Sequence, residues 1–337
     1  MSRILQSILL LVPSITALAQ DRLADGATNS MAGNPVFPGW YADPEARIFN
    51  NEYWIYPTYS AAYEEQTFFD AFSSPDLLTW TKHPSILNFS GIPWSTNRAA
   101  WAPSVARRPR PVNSGSKSIG TAEYDYFMYF SAGDGAGIGV AKSTTGLPEG
   151  PYEDAIGKPL VPETVFGAEA IDAQLFQDDD DRVWLYYGGW SHAIVVELNE
   201  DMVSLKGDYL EITPPGYVEG PWMLKRNGIY YFMYSVGGWG DDSYGVSYVT
   251  GPSPTGPFSS TTTQILRGNS QVGTSTGHNS VFTPDGEEYY IVYHRRYTND
   301  TARDHRVVCI DRMEFDSEGN ILPVNITVEG VEGRPLS

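Results

Sequence analysis

The chain has 337 residues, 22 basic and 41 acidic, and its formal charge of −19 argues against nucleic acid or anionic lipid as a partner. Its one cysteine, Cys309, leaves no intrachain disulfide, so stability must rest on a buried core, which a chain of this length can form. Cys309 sits in the apolar run Val307-Val308-Cys309-Ile310 and reads as an inert core thiol.

The chain opens with MSRILQSILLLVPSITALAQ: one Arg, a short apolar run, then the small-x-small step Ala17-Leu18-Ala19. This is the pattern of a secretory signal peptide cleaved near Ala19, so residues 20–337 are expected to form one exported, extracellular domain. No later segment approaches the ~20 apolar residues of a membrane span. Sequons at Asn88, Asn299 and Asn325 fit export and glycosylation. Nothing in the sequence demands an obligate protein partner.

Beyond the leader, aromatics reach 13% of residues, Gly and Pro are frequent, and no long helical stripe is present. Short strands separated by turns are therefore predicted. Five aromatic runs resemble one another: YWIYPTYS from Tyr53, YDYFMYFSAG from Tyr124, VWLYYGGW from Val183, IYYFMYSVGGW from Ile229 and YYIVYHRRY from Tyr289. Their starts differ by 71, 59, 46 and 60 residues, a spacing that suits four-stranded units with variable loops. Further strand-like segments follow at Ile138, Ala193, Tyr244 and Arg306. The repeat predicts an all-β, five-bladed β-propeller, with a two-sheet sandwich as the alternative.

Each aromatic run reads as the second strand of a hairpin, because turn residues precede it: NNE before Tyr53, DDDDR before Val183, RNG before Ile229 and PDGE before Tyr289. The acidic run Asp178 to Asp181 lacks the spaced ligands of a calcium loop and reads as a solvated turn. In the second unit, PRPVNSGSKSIGTAE separates WAPSVARR from its partner strand and reads as a surface loop.

Counting back from the second strands, Asp43 and Glu219 each lie 10 residues before, and Asp172 and His278 each lie 11 before. Trp101 takes the same place in AAWAPSV once the insertion is allowed for. Inner strands of a propeller run alongside one axis, so these five residues are expected to converge at one mouth of the channel. In AIDAQLF, alternation places Asp172 and Gln174 on one strand face. Taken singly each has a plainer reading: a turn-forming acid, a core Trp, a core His. Three carboxylates at matching offsets are much harder to read that way.

The elements YADP, WAPSV, AIDAQLF, EGPWMLKRNGIYYFMYS, TGHNSV and HRVVCIDRMEFDSEGNILP together resemble glycoside hydrolase family 43, in family order and over nearly all of the chain beyond the leader. The signatures of the retaining invertase-type propellers are missing. The resemblance implies Asp43 as general base, Glu219 as general acid, and Asp172 as the carboxylate that holds Glu219 and raises its pKa. It implies further that Trp101 walls the sugar subsite and that Arg306 reaches the sugar and the acids. His278 would face a cation, usually calcium, held largely by water in the channel. No cofactor is needed for the chemistry.

The implied activity is an inverting exo-glycosidase acting on xylo-oligosaccharides, arabinoxylan or arabinan. β-Xylosidase comes first and α-L-arabinofuranosidase second, with endo-arabinanase if loops leave the groove open. No β-sandwich follows the fifth unit of the kind that walls the site in some family xylosidases, and this weakens the first choice. A carbohydrate-binding propeller without activity is the alternative of another class; the presence of all three acids argues against it.

Overall fold

The hairpin turns form where the sequence supplies residues that tolerate left-handed backbone. Asn50 and Asn51 take φ of 52° and 63°, and Asn227-Gly228 takes 52° and 77°. The computed structural model describes residues 31–110 and 124–336; the predicted leader 1–19 and residues 111–123 of the predicted surface loop lie outside the described residues.

Five antiparallel sheets follow in chain order. The first contains β1 (Tyr41–Phe49), β2 (Glu52–Tyr59), β3 (Phe68–Ser74) and β4 (Thr81–Asn88). The second contains β5 (Ala100–Pro109), β6 (Tyr124–Ala132), β7 (Gly137–Ser143) and β8 (Tyr152–Asp154). The third contains β9 (Gln174–Gln177), β10 (Val183–Tyr187), β11 (Ile194–Leu198) and β12 (Leu205–Glu211). The fourth contains β13 (Glu219–Arg226), β14 (Ile229–Val236), β15 (Gly245–Gly251) and β16 (Thr263–Arg267). The fifth has three strands, β17 (Thr274–Phe282), β18 (Tyr289–Arg296) and β19 (Arg306–Met313). The chain is a five-bladed β-propeller, and the five aromatic runs are its second strands.

Large residues on both faces of those second strands explain why the blades pack as a ring. Phe69, Phe89 and Phe130 fill the space between the first two blades, and comparable buried clusters fill the other interfaces. Burying each such ring contributes roughly 1.5–3 kcal/mol. Tyr56, Tyr129 and Tyr186 share one rung of β2, β6 and β10. Their buried hydroxyls donate to the carbonyls of Pro148 (3.1 Å), Met202 (2.6 Å) and Pro254 (2.6 Å) in the next blade. The polar tip of each ring is thereby satisfied without water.

Closure uses the segment before β1. Val36 N–H donates to the Val308 carbonyl at 3.0 Å, and the Asn34 amide exchanges hydrogen bonds with backbone groups of Ile310 at 2.9 and 3.1 Å. This covers the outer edge of β19, which would otherwise expose unpaired groups.

One expectation needs correction here. Asp178 is not solvated: it is buried, and Lys225 Nζ (2.5 Å) and the Tyr230 hydroxyl (2.6 Å) in the fourth blade pair with its carboxylate. Cys309 is buried as expected, but it is not surrounded only by apolar groups, because Arg295 Nε donates to its sulfur at 3.0 Å.

Candidate active site

Every inner strand carries the same distortion at its channel mouth. One residue takes left-handed φ, and in the blades where the inner strand is already paired there, the ladder register slips: Asp43 (48°), Ala102 (43°), Asp172 (60°), Gly220 (61°) and His278 (47°). These bulges re-aim side chains into the channel mouth. They also correct the predicted equivalence of five residues. Asp43, Asp172 and His278 are bulge residues, whereas Trp101 and Glu219 each stand one residue earlier, before Ala102 and Gly220. Asp172 likewise does not alternate with Gln174 along a strand, because β9 begins only at Gln174 and the bulge precedes it.

The bulge N–H groups are satisfied by a ring of side chains from the preceding blade. Ala102 N–H donates to Thr58 Oγ1 (2.7 Å), Asp172 N–H to Ser131 Oγ (2.9 Å), His278 N–H to Ser235 Oγ (3.0 Å) and Asp43 N–H to His294 Nδ1 (3.1 Å). The corresponding position in the third blade is Gly188, whose N–H donates to the Ile171 carbonyl and which offers no side chain. There the Asp172 carboxylate takes over and accepts the Gly220 N–H at 3.0 Å. A glycine in one blade thus ties Asp172 to the residue beside Glu219.

Despite the one-residue differences, Asp43, Trp101, Asp172, Glu219, His278 and Arg306 all line one cavity of about 310 Å³ at this mouth. Arg306, at the start of β19, places Nη1 3.3 Å from Asp43 Oδ1 and donates through Nε to Ser60 Oγ at 2.9 Å. His278 Nδ1 lies 3.4 Å from Asp43 Oδ1 and 3.7 Å from Asp172 Oδ2. His294 Nδ1 accepts the Asp43 N–H, so its own proton resides on Nε2. Trp101 is fixed by its Nε1 donating to Gln66 Oε1 at 2.5 Å and by edge contact with Tyr63 at 4.9 Å between centroids.

The acids are driven apart electrostatically. Burial would raise Asp43, but the Arg306 guanidinium beside its Oδ1 outweighs it and holds the carboxyl well below its usual range. Glu219 goes the other way, pushed up to about 7 by burial and by the Asp43 charge, against the opposing pull of a 2.8 Å hydrogen bond from the Tyr244 hydroxyl. Asp172 is raised by burial and by its Glu219 and Asp43 neighbours, while the Gly220 N–H favours its charged form. Burial keeps His278 and His294 below the ordinary imidazole range, His294 at about 4.

Tyr244, stacked on His294 at 5.6 Å between centroids, holds Glu219 from below. A Cβ on Gly277 would come within 2.1 Å of that ring, so glycine is required there for space. Among the described residues no group of three or more His, Cys, Asp or Glu side chains is arranged to hold a metal ion. His278 turns Nδ1 to two carboxylates, and one imidazole does not fit the six to eight oxygen ligands that calcium prefers. The side chains present therefore do not form a protein-held calcium site.

Sequence reasoning missed Tyr63, Glu169, Trp190, Trp239, Tyr244 and His294. One signal was available: β10 and β14 are both followed by Gly-Gly-Trp, which brings Trp190 and Trp239 to the cavity wall. Tyr244 and His294 carry no comparable mark, since both sit in aromatic or mixed strand sequence.

The sequence profile of the glycosyl hydrolases family 43 matches residues 32–321. The β-D-galactofuranosidase xynD of Aspergillus niger is 78% identical over 318 residues, covering 94% of this chain and 92% of that protein. The arabinoxylan arabinofuranohydrolase of Bacillus subtilis is 30% identical and covers 86% of this chain, which spans 63% of that longer protein. Among solved structures, a Bacillus subtilis arabinoxylan arabinofuranohydrolase superposes with a TM-score of 0.73 at 27% identity, over 91% of this chain and 72% of that one. An α-L-arabinofuranosidase from Clostridium thermocellum gives a TM-score of 0.69 at 28% identity, over 87% and 96%. A matching profile along the chain, a shared fold and a mouth that gathers Asp43, Asp172 and Glu219 converge: this chain belongs to the glycosyl hydrolases family 43.

Proposed function

We propose that the chain is an inverting furanosidase that removes terminal β-D-galactofuranosyl units and also accepts α-L-arabinofuranosides. The observation that carries the reading is the contrast in one cavity between Asp43, beside the Arg306 guanidinium, and Glu219, beside a tyrosine hydroxyl, which leaves the first acid ionised and the second protonated. Ionised Asp43 takes a proton from water as its oxygen attacks the anomeric carbon. Protonated Glu219 gives its proton to the departing glycosidic oxygen, so one bond forms, one breaks, and the proton count balances. Asp172 positions Glu219 by accepting the Gly220 N–H beside it. Arg306 keeps Asp43 ionised and within reach of the sugar.

The sugar assignment rests on chemistry shared by the named relatives. β-D-Galactofuranose and α-L-arabinofuranose have the same ring configuration and differ only in the exocyclic group, a dihydroxyethyl against a hydroxymethyl. A site shaped for one accepts the ring of the other. The β-xylosidase expectation yields to this reading, because a xylopyranoside presents a different ring shape. The cavity, at the small end of the ~300–1,000 Å³ range for ligand sites, suits a terminal unit and hence exo action.

A panel of p-nitrophenyl β-D-galactofuranoside, α-L-arabinofuranoside and β-D-xylopyranoside tests the sugar. The expected order of kcat/KM is galactofuranoside, then arabinofuranoside, then xyloside; preference for the xyloside overturns the furanose reading. Proton NMR of the first product anomer tests inversion. Secretion belongs to the same proposal, supported by the leader-like 1–19 and by the exposure of Asn88, Asn299 and Asn325. A native N-terminus near Gln20 is the expected finding.

A further inference from the structure

Three tryptophans wall the cavity, and two are fixed by neighbours. Trp101 is held by Gln66 and Tyr63. Trp239 lies under two guanidinium groups, Arg303 at 3.9 Å and Arg306 at 4.9 Å from its ring centroid. Trp190 differs. Its side chain is 63% exposed, and among the described residues no ring, cation or hydrogen-bond acceptor pairs with its indole.

The backbone beneath that free ring is held firmly. Trp190 and Ser191 both take left-handed φ, 52° and 66°, a conformation that bulky residues keep only where the surroundings impose it. Gly188 O accepts the Tyr217 hydroxyl at 2.6 Å, Gly188 N–H donates to the Ile171 carbonyl at 2.9 Å, and Ser191 N–H donates to the Val218 carbonyl at 3.2 Å. The loop is therefore bonded to the residues that lead directly into Glu219. A Cβ on Gly189 would meet Ile171 at 2.8 Å and the Glu169 carboxylate at 3.0 Å, so glycine lets both of these cavity-lining residues pack against the step before Trp190.

We infer that Trp190 is the stacking platform for the leaving-group sugar. The inference rests on the assignment of Glu219 as the acid. The group that receives the Glu219 proton departs from the Glu219 side of the cavity, and Trp190 is the unpartnered aromatic surface anchored to that side. A sugar ring presents one face of C–H groups, which matches an exposed indole, and Glu169, which lines the same cavity, offers a carboxylate to its hydroxyls. Trp101 and Trp239 are committed elsewhere, so the terminal sugar and its leaving group meet different aromatic walls.

The test compares two substrates with the same glycone: its methyl glycoside, which has nothing to stack, and a disaccharide whose leaving group is a sugar. Trp190→Ala is expected to lower kcat/KM on the disaccharide about tenfold and to change the methyl glycoside by less than about twofold. Trp190→Phe should restore most of the disaccharide rate. Equal losses on both substrates, or no loss on the disaccharide, overturn the inference. The glycone is whichever one the wild-type enzyme hydrolyses, so a wrong sugar assignment shows in the wild type and leaves the Trp190 comparison intact.

Discussion

The mouths of β1 and β13 hold carboxylates with opposite surroundings. Asp43 faces a guanidinium and two imidazoles within 3.4 Å of its Oδ1. Glu219 has a single tyrosine hydroxyl and lies in the field of other acids, Asp43 and Glu169. Residue type has little to do with the outcome, since both side chains are carboxylic acids of similar intrinsic strength. Neighbours decide which one is a proton acceptor and which a proton donor, and those neighbours come from different blades.

The comparison breaks most visibly on deletion of either acid. Asp43→Ala is expected to lower kcat by about 10³-fold or more on every substrate, because no leaving group replaces an absent base. Glu219→Ala should cost as much on a disaccharide but only about tenfold on a dinitrophenyl glycoside, whose leaving group needs little protonation. Comparable losses on both substrates would remove Glu219 from the acid role.

The pH profile sharpens the same contrast. Glu219 must be protonated, so kcat/KM should fall as pH rises through about 7. Asp43 must be ionised, and its depressed pKa keeps the acid side of the profile flat. Arg306→Met removes the strongest cation from Asp43, so an acid limb should appear and activity should be lost as pH falls through it. Asp172→Asn keeps a side-chain acceptor for the Gly220 N–H and removes no charge that raises Glu219, so the basic limb should stay near pH 7. A basic limb that moves to lower pH in that variant would show that Asp172 is ionised beside Glu219 and raises its pKa.

The smallest expected effect is on stability. With Glu219 at about 7 in the folded protein and 4.5 ordinarily, the folded state keeps a proton that the unfolded chain releases between those values. Folding stability contributed by this group therefore falls as pH rises through that window. Glu219→Gln, which can still accept from Tyr244, should gain in Tm relative to wild type between about pH 5 and pH 8. A Tm difference that stays constant over that range would place Glu219 at an ordinary pKa.

Much of this arrangement is legible from particular residues. Asn50-Asn51 and Asn227-Gly228 mark hairpins because few other residues take left-handed backbone cheaply. Asp43, Asp172 and Glu219 stand out because an acid at the head of an aromatic hairpin has no role in a core. The one-residue difference between Asp43 and Glu219 escapes counting, since both lie 10 residues before their second strands and hairpin turns vary in length. The two Gly-Gly-Trp steps look alike in sequence, yet Trp239 ends under two arginines and Trp190 ends in solvent.

By itself the sequence determined the number of blades, the hairpins within them and the candidate acids, because these follow from local periodicity, turn chemistry and repetition. Only the tertiary structure decided that His294 and Arg306 of the fifth blade surround Asp43 of the first, and that Gly188 frees the Asp172 carboxylate to bond beside Glu219. The physical reason is that protonation depends on charges and hydrogen bonds within a few ångströms. Closing the ring brings Arg306 against Asp43, 263 positions away along the chain.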